Sequence, residues 1–261
     1  MSQFADRAIR AYLGSIRFSR VWLLVFAVLS CVTGWYAPAL APVANPEFLR
    51  LPSLFVVPIV LVVGIAVHEI GHLVAAHRWP LPATHRRLFP TGTTPRGLYL
   101  PGQTRDEIVN AIAGPLTSFV WGLTLIAASF IFADGSAIQE LLLLAGVTNV
   151  LIGGIHLVPS HPFDGGRILM SVFTFLTANT QSGARATFIY SQAVAASGVG
   201  FGTFLLARDV GYLVPGLWCL ALGMMIVQAS HAELIQASLI SRASSLKAAD
   251  AITGLNPPVR A

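Results

Sequence analysis

Long apolar runs separated by short polar segments dominate the chain. A helix needs about 20 mostly apolar residues to cross a bilayer. Six runs reach or approach that length: 21–36, 52–76, 108–133, 141–159, 186–207 and 210–230. A seventh run, 168–178, is too short to span and predicts a partial or interfacial helix. The pattern therefore predicts an all-α, polytopic transmembrane helical bundle with about six spans.

Composition excludes an ordinary soluble enzyme. Of the 261 residues, 55% are hydrophobic and 10% are charged, whereas a soluble domain carries about 25% charged residues. The two cysteines, Cys31 and Cys219, lie inside apolar runs and are too few for a disulfide framework or a zinc–thiolate cluster. The longest connection, 77–107, is rich in Pro, Gly and Arg and predicts a loop.

The positive charges indicate how the spans are oriented. Net charge is +5, but the basic residues flank apolar runs and form no stripe, so we expect no nucleic-acid partner. If the N-terminus lies inside, fourteen basic residues fall in inner segments, and only Arg50 and Arg208 fall in outer ones. This bias predicts that both termini are cytoplasmic. We expect an integral membrane protein of a bacterial cell membrane.

The second run contains ionisable residues that are costly inside a bilayer. His68, Glu69 and His72 form an H-E-x-x-H motif, and on a helix two histidines at i and i+4 lie on one face. Both imidazoles can then reach one Zn²⁺ ion, while Glu69 stands beside the metal as a general base. Intramembrane ionisable groups mark functional sites by default.

A third zinc ligand has to come from elsewhere in the chain, since a catalytic site usually has three protein ligands. After the fourth run, prolines interrupt the helix, and Asp164 precedes the pair Gly165 and Gly166. Irregular backbone at membrane depth is tolerated where it lines a polar cavity, and Asp164 is well placed to project into one. The alternative is that Asp164 caps the helix beginning near Gly165.

Together these motifs resemble the site-2 proteases, zinc metalloproteases that cleave substrates inside the membrane. The family's H-E-x-x-H motif is matched by 68–72, and its L-D-G motif by 163–166. A G-P-L stretch that opens the helix between them is matched by 114–116. The resemblance covers about 52–170.

The resemblance implies that His68, His72 and Asp164 ligate Zn²⁺ and that Glu69 is the catalytic base. It implies peptide-bond hydrolysis in transmembrane or membrane-associated protein substrates, that is, regulated intramembrane proteolysis within the lipid bilayer. The resemblance does not identify any regulatory partner protein. We expect three parts: an N-terminal cytoplasmic segment with the first span and an outer loop (1–51), a three-helix metalloprotease core (52–180), and two C-terminal spans with a cytoplasmic tail (181–261).

Three positions depart from the family pattern. His156 stands where an Asn is common, eight residues before the ligand Asp. Its imidazole can donate a hydrogen bond to a developing oxyanion as a catalytic residue, bind metal, or be a core histidine. His161 replaces a proline, and Ser118 stands where an Asn often follows G-P-L.

Two alternatives use the same residues differently. A catalytically inactive relative, or a metal-binding transporter or scaffold, would need the ligands but not Glu69. Transporters often carry internal repeats, and this sequence shows none. Another class of membrane zinc protease takes a downstream Glu as third ligand, for which the chain offers Glu107, Glu140 and Glu233.

Overall fold

A computed structural model describes residues 17–18, 20–40, 46–78, 86–89, 92–95 and 104–255. Side chains are described for 20–36, 52–76, 104–209 and 211–239. Seven α-helices make up most of this part of the chain: α1 Arg20–Leu40, α2 Pro46–Arg78, α3 Thr104–Ser129, α4 Ala137–His156, α5 Asp164–Thr177, α6 Thr180–Arg208 and α7 Leu213–Leu255. A 3₁₀ turn, Val210–Tyr212, precedes α7.

Three short strands form a small sheet: β1 Arg17–Phe18, β2 Arg86–Phe89 and β3 Gly92–Pro95. β1 pairs with β2 in parallel, and β2 pairs with β3 antiparallel. The sequence predicts only a loop for 77–107, so the prediction is wrong for β2 and β3. Strands of four residues among Pro and Gly carry too little apolar alternation to be recognised.

The predicted helical bundle is confirmed. Five helical segments in the described part of the chain are long and apolar enough to span a bilayer: Pro52–Ala76, Thr104–Ser129, Ala137–His156, Thr180–Arg208 and Leu213–Leu239. The apolar stretch in α1, Arg20–Tyr36, is shorter. The short seventh run corresponds to α5, which has 14 residues.

Large apolar side chains cover the outer surfaces of the spanning helices. Phe55 on α2, Val120 on α3, Leu151 on α4 and Phe201 on α6 are all exposed. Apolar surface on every side is what a bilayer requires, since lipid and not water surrounds the helices. The chain is an integral membrane protein.

Small residues let neighbouring helices approach closely. A Cβ atom on Gly122 of α3 would lie 2.7 Å from the Gly146 carbonyl oxygen of α4, and one on Gly146 would lie 2.8 Å from the Gly122 oxygen. In lipid, where no hydrophobic force joins helices, such close packing holds them together.

Two tryptophans join the first helix to the last. Trp22 Nε1 donates to Gln228 Oε1 across 3.0 Å, and Trp218 Nε1 donates to Thr33 Oγ1 across 2.8 Å. Residue numbers rise along α1 as their partners' numbers fall along α7, so the two helices are antiparallel. An even number of membrane crossings therefore lies between them, in agreement with the four spanning segments of α2, α3, α4 and α6.

The interior of the bundle is polar where α2, α3, the end of α4 and the start of α5 meet. Buried there are His68, His72, Asn110, Ser118, His156, Asp164 and Arg167. Polar groups in the interior and apolar groups outside reverse the pattern of a soluble bundle. A functional site is therefore expected in this polar interior.

Candidate metal centre

One face of α2 presents two imidazoles to the interior of the bundle. His68 and His72 lie one helical turn apart, and both are buried. Their Nε2 atoms are 3.1 Å apart. The helix thus brings two potential ligand atoms to a single point, as the i, i+4 spacing requires.

The carboxylate of Asp164 completes a triangle with them. Asp164 Oδ2 lies 3.0 Å from His68 Nε2 and 3.2 Å from His72 Nε2. Asp164 is the first residue of α5, but the N-cap is Phe163, which makes no side-chain cap bond. The interpretation of Asp164 as a helix cap is therefore wrong, because its carboxylate is directed to the histidines instead.

The glycine pair allows α5 to begin where it does. A Cβ atom on Gly166 would lie 2.5 Å from the Ser160 carbonyl carbon and 2.7 Å from the His161 nitrogen. Only residues without side chains let the first turn of α5 pack against the backbone of the preceding loop. That packing places Asp164 opposite α2.

The three ligand atoms fit a zinc ion. A tetrahedral centre with ligands at about 2.0–2.1 Å has its ligand atoms about 3.3–3.4 Å apart. The distances of 3.0, 3.1 and 3.2 Å in this triangle are close to that spacing. Two imidazoles and one carboxylate form a three-ligand set typical of catalytic zinc, with one position open. Among the described residues, His68, His72 and Asp164 are the group that could hold a metal ion.

Residues of α3 orient both imidazoles by contacting their Nδ1 atoms. His72 Nδ1 donates to the Asn110 carbonyl oxygen across 2.8 Å. His68 Nδ1 lies 3.1 Å from Ser118 Oγ. A proton on each Nδ1 leaves the Nε2 lone pair free for metal, which is the usual arrangement for ligand histidines. Ser118 thus provides an acceptor where the family pattern often has Asn.

The missing side chain of Gly114 leaves room for the two imidazoles of the triangle. Gly114 lies on α3 directly opposite the two histidines, and a Cβ atom there would collide with Nε2 of both His68 and His72. No methyl group could share this space with the ligand atoms. The G-P-L stretch therefore has a steric function as well as its place in the motif.

We expect Gly114→Ala to weaken zinc binding by more than about 100-fold, a larger effect than loss of a hydrogen-bond partner behind a ligand. The methyl group has to displace an imidazole, so all three ligands remain in the chain but no longer converge. Gly154→Ala is the matched control, since a Cβ atom at Gly154 has nothing within 4 Å. Zinc content of the two purified variants checks this, and equal zinc in both would contradict it.

The structure also brings His156 into the centre. It is the last residue of α4, and its Nδ1 lies 2.9 Å from Asp164 Oδ2. Its ring centroid is 4.0 Å from that of His68. Glu69, next to His68 on α2, is also buried. His161 is buried, and its backbone N–H donates to Ser191 Oγ across 3.1 Å.

Sequence reasoning missed the group behind Asp164. Arg167 is buried and donates from Nη1 to Asp164 Oδ1 across 2.9 Å. From the sequence alone, Arg167 is counted only as a basic residue of a loop on the cytoplasmic side of the membrane. Its position three residues after Asp164, on the same face of a helix, is the signal that could have identified it.

The alternative acidic ligands are not part of the triangle. Glu107 Oε1 accepts from Arg167 Nε across 2.7 Å, so Glu107 forms an ion pair with Arg167. Glu140 is exposed in the first turn of α4. Neither Glu107, Glu140 nor Glu233 belongs to the metal-binding group found among the described residues.

Comparisons with known proteins find relatives that are named zinc metalloproteases. Zinc metalloprotease MJ0392 of Methanocaldococcus jannaschii is 33% identical over 116 residues, which are 44% of this chain and 34% of that protein. Protein sll0528 of Synechocystis, also named a zinc metalloprotease, is 26% identical over 255 residues, or 90% of this chain and 62% of that one. No protein-family profile matches the chain.

A solved structure has the same fold. The site-2 protease of Methanocaldococcus jannaschii superimposes with a TM-score of 0.61 and 22% sequence identity, covering 84% of this chain and 90% of that one. The curated relatives are longer, since the chain spans 34% of MJ0392 and 62% of sll0528. Both the sequence relatives and the solved structure carry the names of proteases.

Proposed function

We propose that this chain is a member of the site-2 protease family, a zinc metalloendopeptidase that hydrolyses peptide bonds of transmembrane or membrane-associated proteins. One observation carries the proposal. Asp164, from a helix begun by a glycine pair, meets the two histidines of an H-E-x-x-H helix inside a membrane bundle. The sequence places Glu69 beside that set.

Each residue of the centre has a role in this proposal. His68, His72 and Asp164 hold Zn²⁺, which supplies Lewis acidity toward a water molecule and the scissile carbonyl. Glu69 accepts a proton from the attacking water and delivers it to the leaving amine. Hydrolysis therefore needs no covalent bond between the chain and its substrate.

His156 is proposed to act on the substrate rather than on the metal. It contacts the Asp164 carboxylate through Nδ1, and it lies outside the group of three ligands. In this role His156 would act as an imidazolium, which donates from both nitrogens, with Nδ1–H directed to Asp164 and Nε2–H to a developing oxyanion. Stabilising that charge is among the largest contributions to catalysis of acyl transfer.

The proposed orientation places both termini in the cytoplasm of a bacterial cell. The distribution of Lys and Arg supports it, even without Arg167, which is buried and is no loop charge. The antiparallel arrangement of α1 and α7 also supports it, because termini joined by an even number of spans lie on one side. His68 and His72 lie toward the C-terminal end of α2, which would face the cytoplasm and receive water from there.

The proposed domain organisation assigns the chemistry to the central segment. Residues 52–180 would form the metalloprotease core, since α2 to α5 contribute His68, His72 and Asp164 and the side chains that contact them. Residues 1–51 would add the first span, and 181–261 the last two spans and a tail. Substrate choice would depend on these flanking spans, on loops or on a partner protein.

The test uses the full chain purified in detergent and reconstituted in lipid vesicles. We expect about one zinc per chain and cleavage of a transmembrane peptide, with cleavage lost on chelation and restored by Zn²⁺. Movement of zinc across the vesicle membrane without cleavage would favour a transporter. Bound zinc with neither cleavage nor transport would favour an inactive relative, and absence of zinc would contradict the proposal.

A further inference from the structure

A buried ion pair lies behind Asp164, outside the set of three ligands. Arg167 and Glu107 are almost completely withdrawn from the surface, with 2% and 6% of their areas exposed. Arg167 Nε donates to Glu107 Oε1 across 2.7 Å. Burying two charges is costly, and replacing such a pair with apolar residues is often neutral or stabilising. Stability alone therefore does not account for this pair.

The guanidinium gives the two oxygens of Asp164 different environments. Arg167 Nη1 donates to Asp164 Oδ1 across 2.9 Å, whereas Oδ2 faces His68 and His72. Since Oδ1 is held, the carboxylate presents one oxygen to the histidines at a fixed rotation. A charge-assisted hydrogen bond would also withdraw electron density from the carboxylate and so make a metal ion held by Asp164 a stronger Lewis acid.

Asn110 connects this ion pair to one of the histidines. Its Oδ1 accepts from Arg167 Nη2 across 3.2 Å, and its backbone carbonyl accepts from His72 Nδ1 across 2.8 Å. Glu107 and Asn110 lie on the same face of α3, one turn apart. One turn of α3 therefore contacts His72 directly and contacts Asp164 through Arg167.

We propose that the Arg167–Glu107 pair is a positioning device for the metal centre. It fixes the rotation of the Asp164 carboxylate, and so it sets the affinity of the site for a divalent metal and the ligand field around that metal. The inference rests on the proposed function, because it takes His68, His72 and Asp164 to be the metal ligands. Neither Arg167 nor Glu107 touches the reacting atoms in this proposal.

Cobalt(II) is the probe, because its visible absorption depends on the ligands and their geometry. The full chain, stripped of metal in detergent, is titrated with Co²⁺ as wild type, Glu107→Gln and Arg167→Lys. Both variants are expected to bind about 10- to 100-fold more weakly, the usual effect of losing a partner behind a ligand, with a shifted absorption band. Lysine retains the charge but lacks the planar fork that holds two carboxylates at once.

Glu140→Gln and Arg185→Lys are matched controls at exposed positions, and we expect both to match wild type. The double variant Glu107→Gln/Arg167→Gln separates positioning from folding, because it removes both charges of the pair together and leaves neither member buried alone. Its thermal unfolding temperature is expected to return toward that of wild type while its Co²⁺ affinity stays reduced.

Three results would overturn the inference. Wild-type affinity and spectrum in both single variants would overturn the positioning role alone. Recovery of Co²⁺ affinity together with stability in the double variant would assign the pair a purely structural role. Absence of Co²⁺ binding by the wild type would overturn the metal site itself, and the positioning role with it.

Discussion

The Asp164→Ala variant is expected to lose its zinc and with it all cleavage above background. Asp164 Oδ2 is one of three atoms in the ligand triangle, and two histidines on one helix turn do not make a three-ligand centre. We expect zinc affinity to fall by more than about 100-fold, beyond the effect of losing a partner behind a ligand. Zinc per chain after dialysis, measured by atomic emission, checks this directly.

His156→Ala is the informative comparison for this prediction. Its Nδ1 contacts the same oxygen of Asp164 across 2.9 Å, so among the described residues it is the histidine outside the triangle that directly contacts a ligand carboxylate. If His156 is no ligand, this variant keeps its zinc and loses cleavage only. Zinc retained in Asp164→Ala but lost in His156→Ala would make His156 the third ligand and contradict our assignment.

The Glu69→Gln variant is expected to keep its zinc and to cleave about 10²- to 10⁴-fold more slowly, the range for loss of a general acid–base group. Glutamine has nearly the size of glutamate, but its amide cannot take a proton from water at neutral pH. Zinc content and single-turnover cleavage, measured on one preparation, separate metal binding from chemistry.

Glu140→Gln is the control for the same substitution at an exposed position, and its cleavage rate should equal that of wild type. An unchanged function in Glu69→Gln, combined with a lost function in His68→Ala, would show that the metal matters and the base does not. That result would favour a transporter or a scaffold over a protease.

The sequence predicts the helical bundle well because lipid imposes a simple pattern. Long apolar runs are the signal for spanning helices, and five spanning segments match predicted runs. Their ends shift because caps, which the apolar pattern does not show, decide where a helix begins. Ser136 accepts from the backbone N–H of Gln139 and starts α4 before the run predicted at 141.

The candidate centre could be predicted only where its spacing is local. His68, Glu69 and His72 lie within one helix turn, so helix geometry alone brings them together. The contact between Asp164 and the histidines joins residues that are 96 and 92 positions apart, and it was suggested only by the interrupted helix before Asp164 and by the motif resemblance. The pairing of Arg167 with Glu107 was not predicted, because the two residues are 60 positions apart and neither is part of a recognised motif.

The two histidines of the centre are oriented by different kinds of acceptor. His72 Nδ1 donates to a main-chain carbonyl, that of Asn110, whereas His68 Nδ1 is paired with the Ser118 side chain. Every residue type carries a carbonyl, so mutation at position 110 leaves the support of His72 in place. At position 118 the acceptor is a side-chain atom, so only residues whose side chains accept a hydrogen bond can orient His68 in the same way. The serine in this chain satisfies that condition with a smaller side chain than asparagine.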